Sequence, residues 1–154
     1  MNIRPLLERY AATHPTTKIL ICSDGSPYMS QYRLADLGKD HGRVTLQHFH
    51  RGDEDRELHG HPWHGVSLIL SGGYREERRA GNSVVSKVFL PGDVNVICPD
   101  TYHRIDLLRE DCWTLFATGP VVAKWGFWSR DTGEFTPWRK FIERKGLVPV
   151  GSGA

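Results

Sequence analysis

The chain has few cysteines, no long apolar run and little net charge, and each shortage excludes a class of protein. Three cysteines among 154 residues cannot all pair and lack zinc-site spacing, so we expect reduced thiols and no disulfide scaffold. No segment approaches the roughly 20 apolar residues that a membrane-spanning helix needs, and the first residues lack the hydrophobic region of a secretory signal. A net charge of +2 gives no signal for nucleic acid. We therefore expect a cytoplasmic protein.

What the chain does contain is enough apolar side chain for one core. With 39% hydrophobic residues, residues 1–154 can form a single domain. Helical spacing predicts short helices at 4–12 and 138–145. Short segments between turn signals predict strands at 17–22, 28–37, 43–50, 66–70, 83–90, 94–98, 102–108, 113–118 and 124–130. This pattern predicts an all-β fold, an antiparallel jelly-roll barrel with short flanking helices.

Three histidines within six positions, directly before the apolar run at 66–70, are the most informative residues. His59 and His61 are two apart, so on an extended backbone both rings project from one face and can converge on one cation. Neutral imidazole is the commonest protein metal ligand. A pair from one strand holds an ion poorly, and His103, which follows a proline turn far downstream, is the best third ligand.

These segments resemble the cupin superfamily over about residues 42–120. The shared pattern is His-x-His near the start of a strand, a glycine about a dozen residues later (Gly72 or Gly73), then Pro-Gly-Asp and a third histidine after a proline turn. The usual glutamate, four or five residues after the second histidine, is replaced here by Gly65 and Val66. The resemblance implies an RmlC-like cupin barrel. The remaining three-histidine set is similar to that of the thiol dioxygenase branch, which implies an iron(II) enzyme.

Several other residues are candidates for handling a substrate. His48 and Tyr74 are candidate catalytic residues; if the side of the strand that carries His48 is the barrel interior, its ring lines the pocket. Trp63 beside the ligands and the guanidinium of Arg33 are candidates for substrate binding.

His64 and Asp55 leave the ligand set open. By strand alternation His64 points away from the face of His59 and His61, so we expect it at most to contact substrate, although a bend at Pro62 could make it an extra ligand. Asp55 as a ligand would give the two-histidine, one-carboxylate arrangement of non-haem iron enzymes.

A three-histidine site leaves the charge of a divalent cation uncompensated and so favours an anionic or bidentate substrate. Fe²⁺ is favoured, with Zn²⁺, Mn²⁺ or Ni²⁺ as alternatives, because imidazole suits several metals. We expect a metal-dependent cupin enzyme, an iron(II) dioxygenase acting on a small polar or anionic molecule. The alternatives are a metal-dependent isomerase, epimerase or lyase, and a ligand-binding or sensor cupin without turnover. The apolar N-terminal segment and the aromatic C-terminal third also favour a homodimer.

Overall fold

A computed structural model describes residues 2–55 and 57–145. In this part of the chain two short helices flank twelve strands. The helices are α1 (Arg4–Thr13) and α2 (Trp138–Arg144). The strands are β1 (Lys18–Ile21), β2 (Pro27–Asp36), β3 (Arg43–Phe49), β4 (Leu58–His59), β5 (Gly65–Ser71), β6 (Tyr74–Ala80), β7 (Ser83–Phe89), β8 (Val94–Ile97), β9 (His103–Leu107), β10 (Cys112–Thr118), β11 (Gly126–Trp128) and β12 (Phe135–Pro137).

The strands form two six-stranded antiparallel sheets. The first sheet has the order β1-β2-β3-β10-β5-β8, and the second has the order β12-β11-β4-β9-β6-β7. Neighbours in each sheet are mostly distant in sequence, as in a jelly roll, where the chain crosses repeatedly between two sheets. The predicted all-β class and the flanking helices are confirmed.

Strand β6 is the longest of the strands that were missing from the sequence prediction. In β6, Tyr-Arg-Glu-Glu-Arg-Arg-Ala, charged residues occupy five of seven positions and hide the alternation that marks a strand. The alternation is nevertheless present, because Tyr74 and Glu76 are buried while Arg75 between them is exposed. This omission matters for function, since β6 pairs with β9 and lies beside its histidine.

The largest core cluster fills part of the space between the sheets. It consists of Met29, Phe49, Ile69, Tyr74, Phe89, Ile105 and Cys112. Four of these residues, Met29, Phe49, Tyr74 and Ile105, also line a cavity, so the core forms part of the cavity wall.

Helix α1 packs on the outer face of the first sheet. Its Leu7 contacts a second cluster with Tyr32, Leu46 and Trp113. This helix therefore covers apolar surface outside the barrel and contributes nothing to the cavity.

The structure also bears on the classes excluded by composition. Cys22, Cys98 and Cys112 are all free thiols. Among the described residues, neither helix has the length and apolar character needed to cross a membrane.

Candidate metal centre

A cavity of about 990 Å³ lies between the two sheets. Both sheets contribute side chains, and the C-terminal helix adds Phe141, whose ring stacks on Phe127 at a centroid distance of 3.7 Å. A concave site of this size, with apolar walls and a few polar groups, can enclose most of a small molecule.

Three histidines meet at one side of this cavity. His59 ends β4, His61 follows in the next loop, and His103 begins β9. Strands β4 and β9 pair with His59 directly opposite His103, so these rings lie on the same face of the second sheet. One ring nitrogen from each of the three histidines lies within 4.8 Å of the others. His61 Nε2 and His103 Nε2 are 2.9 Å apart.

Burial keeps the imidazoles of His59 and His61 in the neutral form that a metal requires. It lowers the pKa of His59 to about 4 and lowers the pKa of His61 well below its ordinary value. A charged imidazolium would lose its hydration in this position without an adequate counter-charge. The lone pairs of both rings are therefore available for coordination near neutral pH.

Glu76 on β6 holds the third histidine in place, and the sequence prediction missed it. Its Oε1 lies 2.5 Å from His103 Nδ1, and the residue is 2% exposed. Burial raises the pKa of the Glu76 carboxyl, but hydrogen bonds from His103, Arg78 and Asn95 outweigh it and bring the pKa down to about 2. An ionised carboxylate can only accept, so Nδ1 of His103 carries the proton and its Nε2 is left as the ligand atom.

Asp53 lies beside His59 as Glu76 lies beside His103, but at a longer distance. Its Oδ2 lies 3.7 Å from His59 Nδ1, and its position is fixed by the Tyr28 hydroxyl and the Ile105 amide, both donating at 2.6 Å. Asp55 instead forms an ion pair with Lys145 at 2.7 Å. Among the described residues, no carboxylate or thiol joins the three histidines as a further ligand.

The structure also explains the missing glutamate of the cupin pattern. A Cβ on Gly65 would lie 3.0 Å from both the Trp63 and the Phe116 rings, so two aromatic side chains fill the space that a residue at 65 would enter. Val66 is 45% exposed and projects from the opposite face of β5. Neither position can present a carboxylate to the histidines without repacking.

The other predicted site residues divide into two groups. Trp63 and Tyr74 line the cavity, and Trp63 stacks on His61 with a centroid distance of 4.4 Å. Arg33, His48 and His64 do not line it. The proposed roles of these three at the substrate therefore need correction.

The physical reasons for the three corrections differ. His48 lies on the outer face of β3, because Thr45, Gln47 and Phe49 occupy the inner face; its ring stacks on Trp113 and hydrogen-bonds Asp111 at 2.8 Å. Arg33 is exposed and paired with Asp36 at 3.0 Å. His64 is exposed, and the turn at Pro62 does not bring it to the other histidines.

This donor set fits a divalent transition metal. The three ligand atoms come from imidazoles, the second nitrogen of His103 is held by a carboxylate, and the rings face a cavity that leaves room for further ligands. Zinc and non-haem iron sites of this kind are built from the same elements.

Comparison with known proteins bears on the fold. No protein-family model matches the chain, and no curated protein matches it in sequence. Many solved structures are similar, among them the following three. KdgF from Halomonas sp. has a TM-score of 0.51 and 16% identity over 71% of this chain and 91% of that chain. Fe(II)-HppE with the alternative substrate (S)-1-HPP has a TM-score of 0.55 and 11% identity over 70% and 56%. The DMSP lyase DddQ from Ruegeria pomeroyi DSS-3 has a TM-score of 0.54 and 15% identity over 76% and 61%.

At these identities the similarity concerns the fold. The chain spans 56% of the HppE chain and 61% of the DddQ chain. Together with the two antiparallel sheets, this similarity shows that the chain has the fold of these structures. The predicted jelly-roll architecture is therefore confirmed at the level of the fold.

Proposed function

We propose that the protein is a metal-dependent enzyme in which His59, His61 and His103 hold a divalent cation, with Fe²⁺ favoured, and that it oxidises a small polar or anionic molecule as a dioxygenase. The observation that carries this proposal is the convergence of three imidazole ring nitrogens within 4.8 Å on the cavity wall. Such a set supplies no negative charge, so a bound cation keeps its attraction for an anionic substrate.

The metal, when bound, supplies Lewis acidity and, as iron(II), the capacity to react with dioxygen. The chain's own residues do the rest. Glu76 keeps the proton on Nδ1 of His103 and so keeps Nε2 free to coordinate. Trp63 stacks on His61 and packs against Phe116, with 5.3 Å between the Trp63 and Phe116 ring centroids. It thereby covers one side of the centre and excludes water from it.

A non-redox lyase or isomerase is the second candidate, and the tyrosines of the cavity favour it. Burial raises the pKa of Tyr28 and of Tyr74, so both phenols keep their protons. Tyr74 also accepts a hydrogen bond from Asn95 Nδ2 at 3.0 Å, which positions its hydroxyl at the cavity wall as a candidate group for proton transfer. The same fold occurs in an Fe(II) form of HppE and in the DMSP lyase DddQ, and a shared fold does not choose between reactions.

The first test is metal content, measured on protein purified without a histidine tag. We expect about one equivalent of a divalent transition metal, lost on dialysis against a chelator. Oxygen uptake is then followed with the Fe²⁺-loaded protein and a panel of small acids, with chelator-treated protein as the control. Uptake that needs both Fe²⁺ and one acid supports the dioxygenase. Turnover without oxygen, detected as deuterium incorporation from D₂O, supports the second candidate, and binding without turnover supports a sensor.

A further inference from the structure

The sheet that faces the histidines carries a row of polar side chains on its inner surface. We call Lys18, Gln31 and Gln47 the polar row. Lys18 of β1 is paired with Gln31 of β2, and Gln31 is paired with Gln47 of β3. Residues paired across antiparallel strands project from the same face, and all three line the cavity. The polar row therefore shares one cavity with the metal centre.

Gln47 is the member of the polar row that gives the strongest evidence for a ligand. It is 6% exposed, and its side-chain oxygen accepts a hydrogen bond from Thr114 Oγ1 at 3.3 Å. Within the described residues its amide nitrogen has no partner. The only fully enclosed side-chain polar atoms without a partner in that part of the chain are the indole nitrogens of Trp113 and Trp128. The Gln47 nitrogen is therefore reached from the cavity, where a ligand or water must satisfy it.

Asn95 and Thr114, two other buried polar residues of this barrel, are paired with protein atoms. Asn95 donates to the Tyr74 hydroxyl at 3.0 Å and to Glu76 at 2.9 Å. Thr114, on the strand next to Gln47, uses its hydroxyl on the Gln47 oxygen. The unpaired amide nitrogen of Gln47 thus lies where a ligand can enter.

The charges around the cavity show what kind of ligand would satisfy this row. The four acidic residues that line the cavity already have partners: Asp53 accepts from the Tyr28 hydroxyl, Glu54 from the Ser23 amide at 3.0 Å and Glu57 from the Arg130 amide at 2.8 Å, and Asp55 pairs with Lys145. In the described chain, Lys18 has no ion pair. The uncommitted groups of the polar row include two donors, the Gln47 amide nitrogen and the Lys18 ammonium, which call for an acceptor oxygen, and the ammonium favours one that carries negative charge.

We propose that the substrate is a small dicarboxylic acid. This inference rests on the proposed function, because one carboxylate binds at the metal centre of His59, His61 and His103. The second carboxylate accepts hydrogen bonds from the polar row across the cavity, from Gln47 and Gln31 with Lys18 at the mouth. The row thereby selects a ligand with two acidic ends over one with a single acidic end.

The test compares acids of matched length on metal-loaded protein. Succinate, glutarate and adipate are titrated by calorimetry against butyrate, valerate and hexanoate, with the protein loaded with Co²⁺. We expect one dicarboxylate to bind at least about tenfold more tightly than the monocarboxylate of the same length, because its second end gains charge-assisted hydrogen bonds. Equal affinity within each pair of acids overturns the inference.

Variants then assign the preference to the polar row. Gln47→Leu should weaken binding of the preferred dicarboxylate about 5- to 10-fold and leave the monocarboxylate unchanged. Gln47→Glu keeps the acceptor for Thr114 but repels the second carboxylate, so it should weaken binding further. Lys18→Met should weaken binding of the preferred dicarboxylate by only about 2- to 5-fold, because Lys18 is exposed. Its control is Lys39→Met, which lies on an exposed turn outside the cavity.

Two failures are distinguishable in this design. Protein that binds Co²⁺ and prefers dicarboxylates, with the preference unchanged by both Gln47 variants and Lys18→Met, refutes the role of the row alone. Protein that takes up no divalent metal refutes the proposed function, and the present inference falls with it. Metal affinity of each variant is measured first, and we expect it to match the wild type.

Discussion

Replacing Glu76 by glutamine tests how the site holds its third histidine. The carboxylate accepts four hydrogen bonds: from His103 Nδ1 at 2.5 Å, from Arg78 Nε and Nη2 at 3.0 and 3.1 Å, and from Asn95 Nδ2 at 2.9 Å. Glutamine keeps one acceptor oxygen but turns the other position into a donor, which then faces a donor from Arg78 or His103.

Two effects of Glu76→Gln can be estimated. Metal affinity should fall about 10- to 100-fold, as is typical when the partner of a ligating histidine is changed. The free energy of unfolding should fall by about 2–3 kcal/mol, because a buried charged acceptor leaves its donors unsatisfied. The larger penalty of a fully buried ion pair is not expected, since the Arg78 side chain is 31% exposed.

The assay is competition for Zn²⁺ against a chromophoric chelator, with urea unfolding of the metal-free protein alongside. Glu77→Gln is the matched control. Glu77 is the next residue of the same strand, points away from the site and pairs with Arg104 at 3.1 Å and with Arg130. The Glu77→Gln variant should be less stable than the wild type but should bind the metal with unchanged affinity. If Glu76→Gln keeps its affinity within about threefold, or if Glu77→Gln weakens metal binding equally, the positioning role assigned to Glu76 is wrong.

Three further predictions concern the ligands, pH and the core. His61→Ala should abolish metal uptake at micromolar protein, whereas His64→Ala, at an exposed position, should retain about one equivalent by elemental analysis; the reverse result would redraw the ligand set. Burial lowers the pKa of His48, against the opposing hydrogen bond to Asp111. The unfolded chain, with a histidine pKa of about 6.5, therefore takes up its proton first, so stability should be full above about pH 7 and should fall as the pH drops below about 6.5. His48→Gln should reduce the difference between the urea unfolding midpoints at pH 7 and pH 5.5. An unchanged difference would contradict this prediction. Ile69 is 1% exposed, so Ile69→Ala should lower the free energy of unfolding by about 2–5 kcal/mol. A decrease below 1 kcal/mol in a urea titration would be inconsistent with its place in the core.

Local spacing in the sequence was sufficient for much of the fold and for the histidine set. Helix α1 and most strands followed from periods of 3.6 and 2. The shared direction of His59 and His61 followed from their separation by two residues. These features depend on residues close together in the chain, so they can be predicted without knowing how distant segments pack.

Two other features were decided by tertiary structure. Glu76 reaches His103 only because β6 and β9 pair with Arg78 opposite His103, which places residue 76 one step along the same face. The two residues are 27 positions apart, and the charged pattern of β6 concealed that it was a strand at all.

His48 shows the second limit. Alternation along β3 correctly separates its residues into two faces, but it does not say which face is inside. That choice was made by packing: helix α1, Leu46 and Trp113 cover one face, and Thr45, Gln47 and Phe49 face the cavity. The sequence by itself therefore determined which side chains share a face and which histidines can act together. Only the assembly of the two sheets and the helix decided which face surrounds the metal centre, because that depends on burial summed over contacts between distant segments.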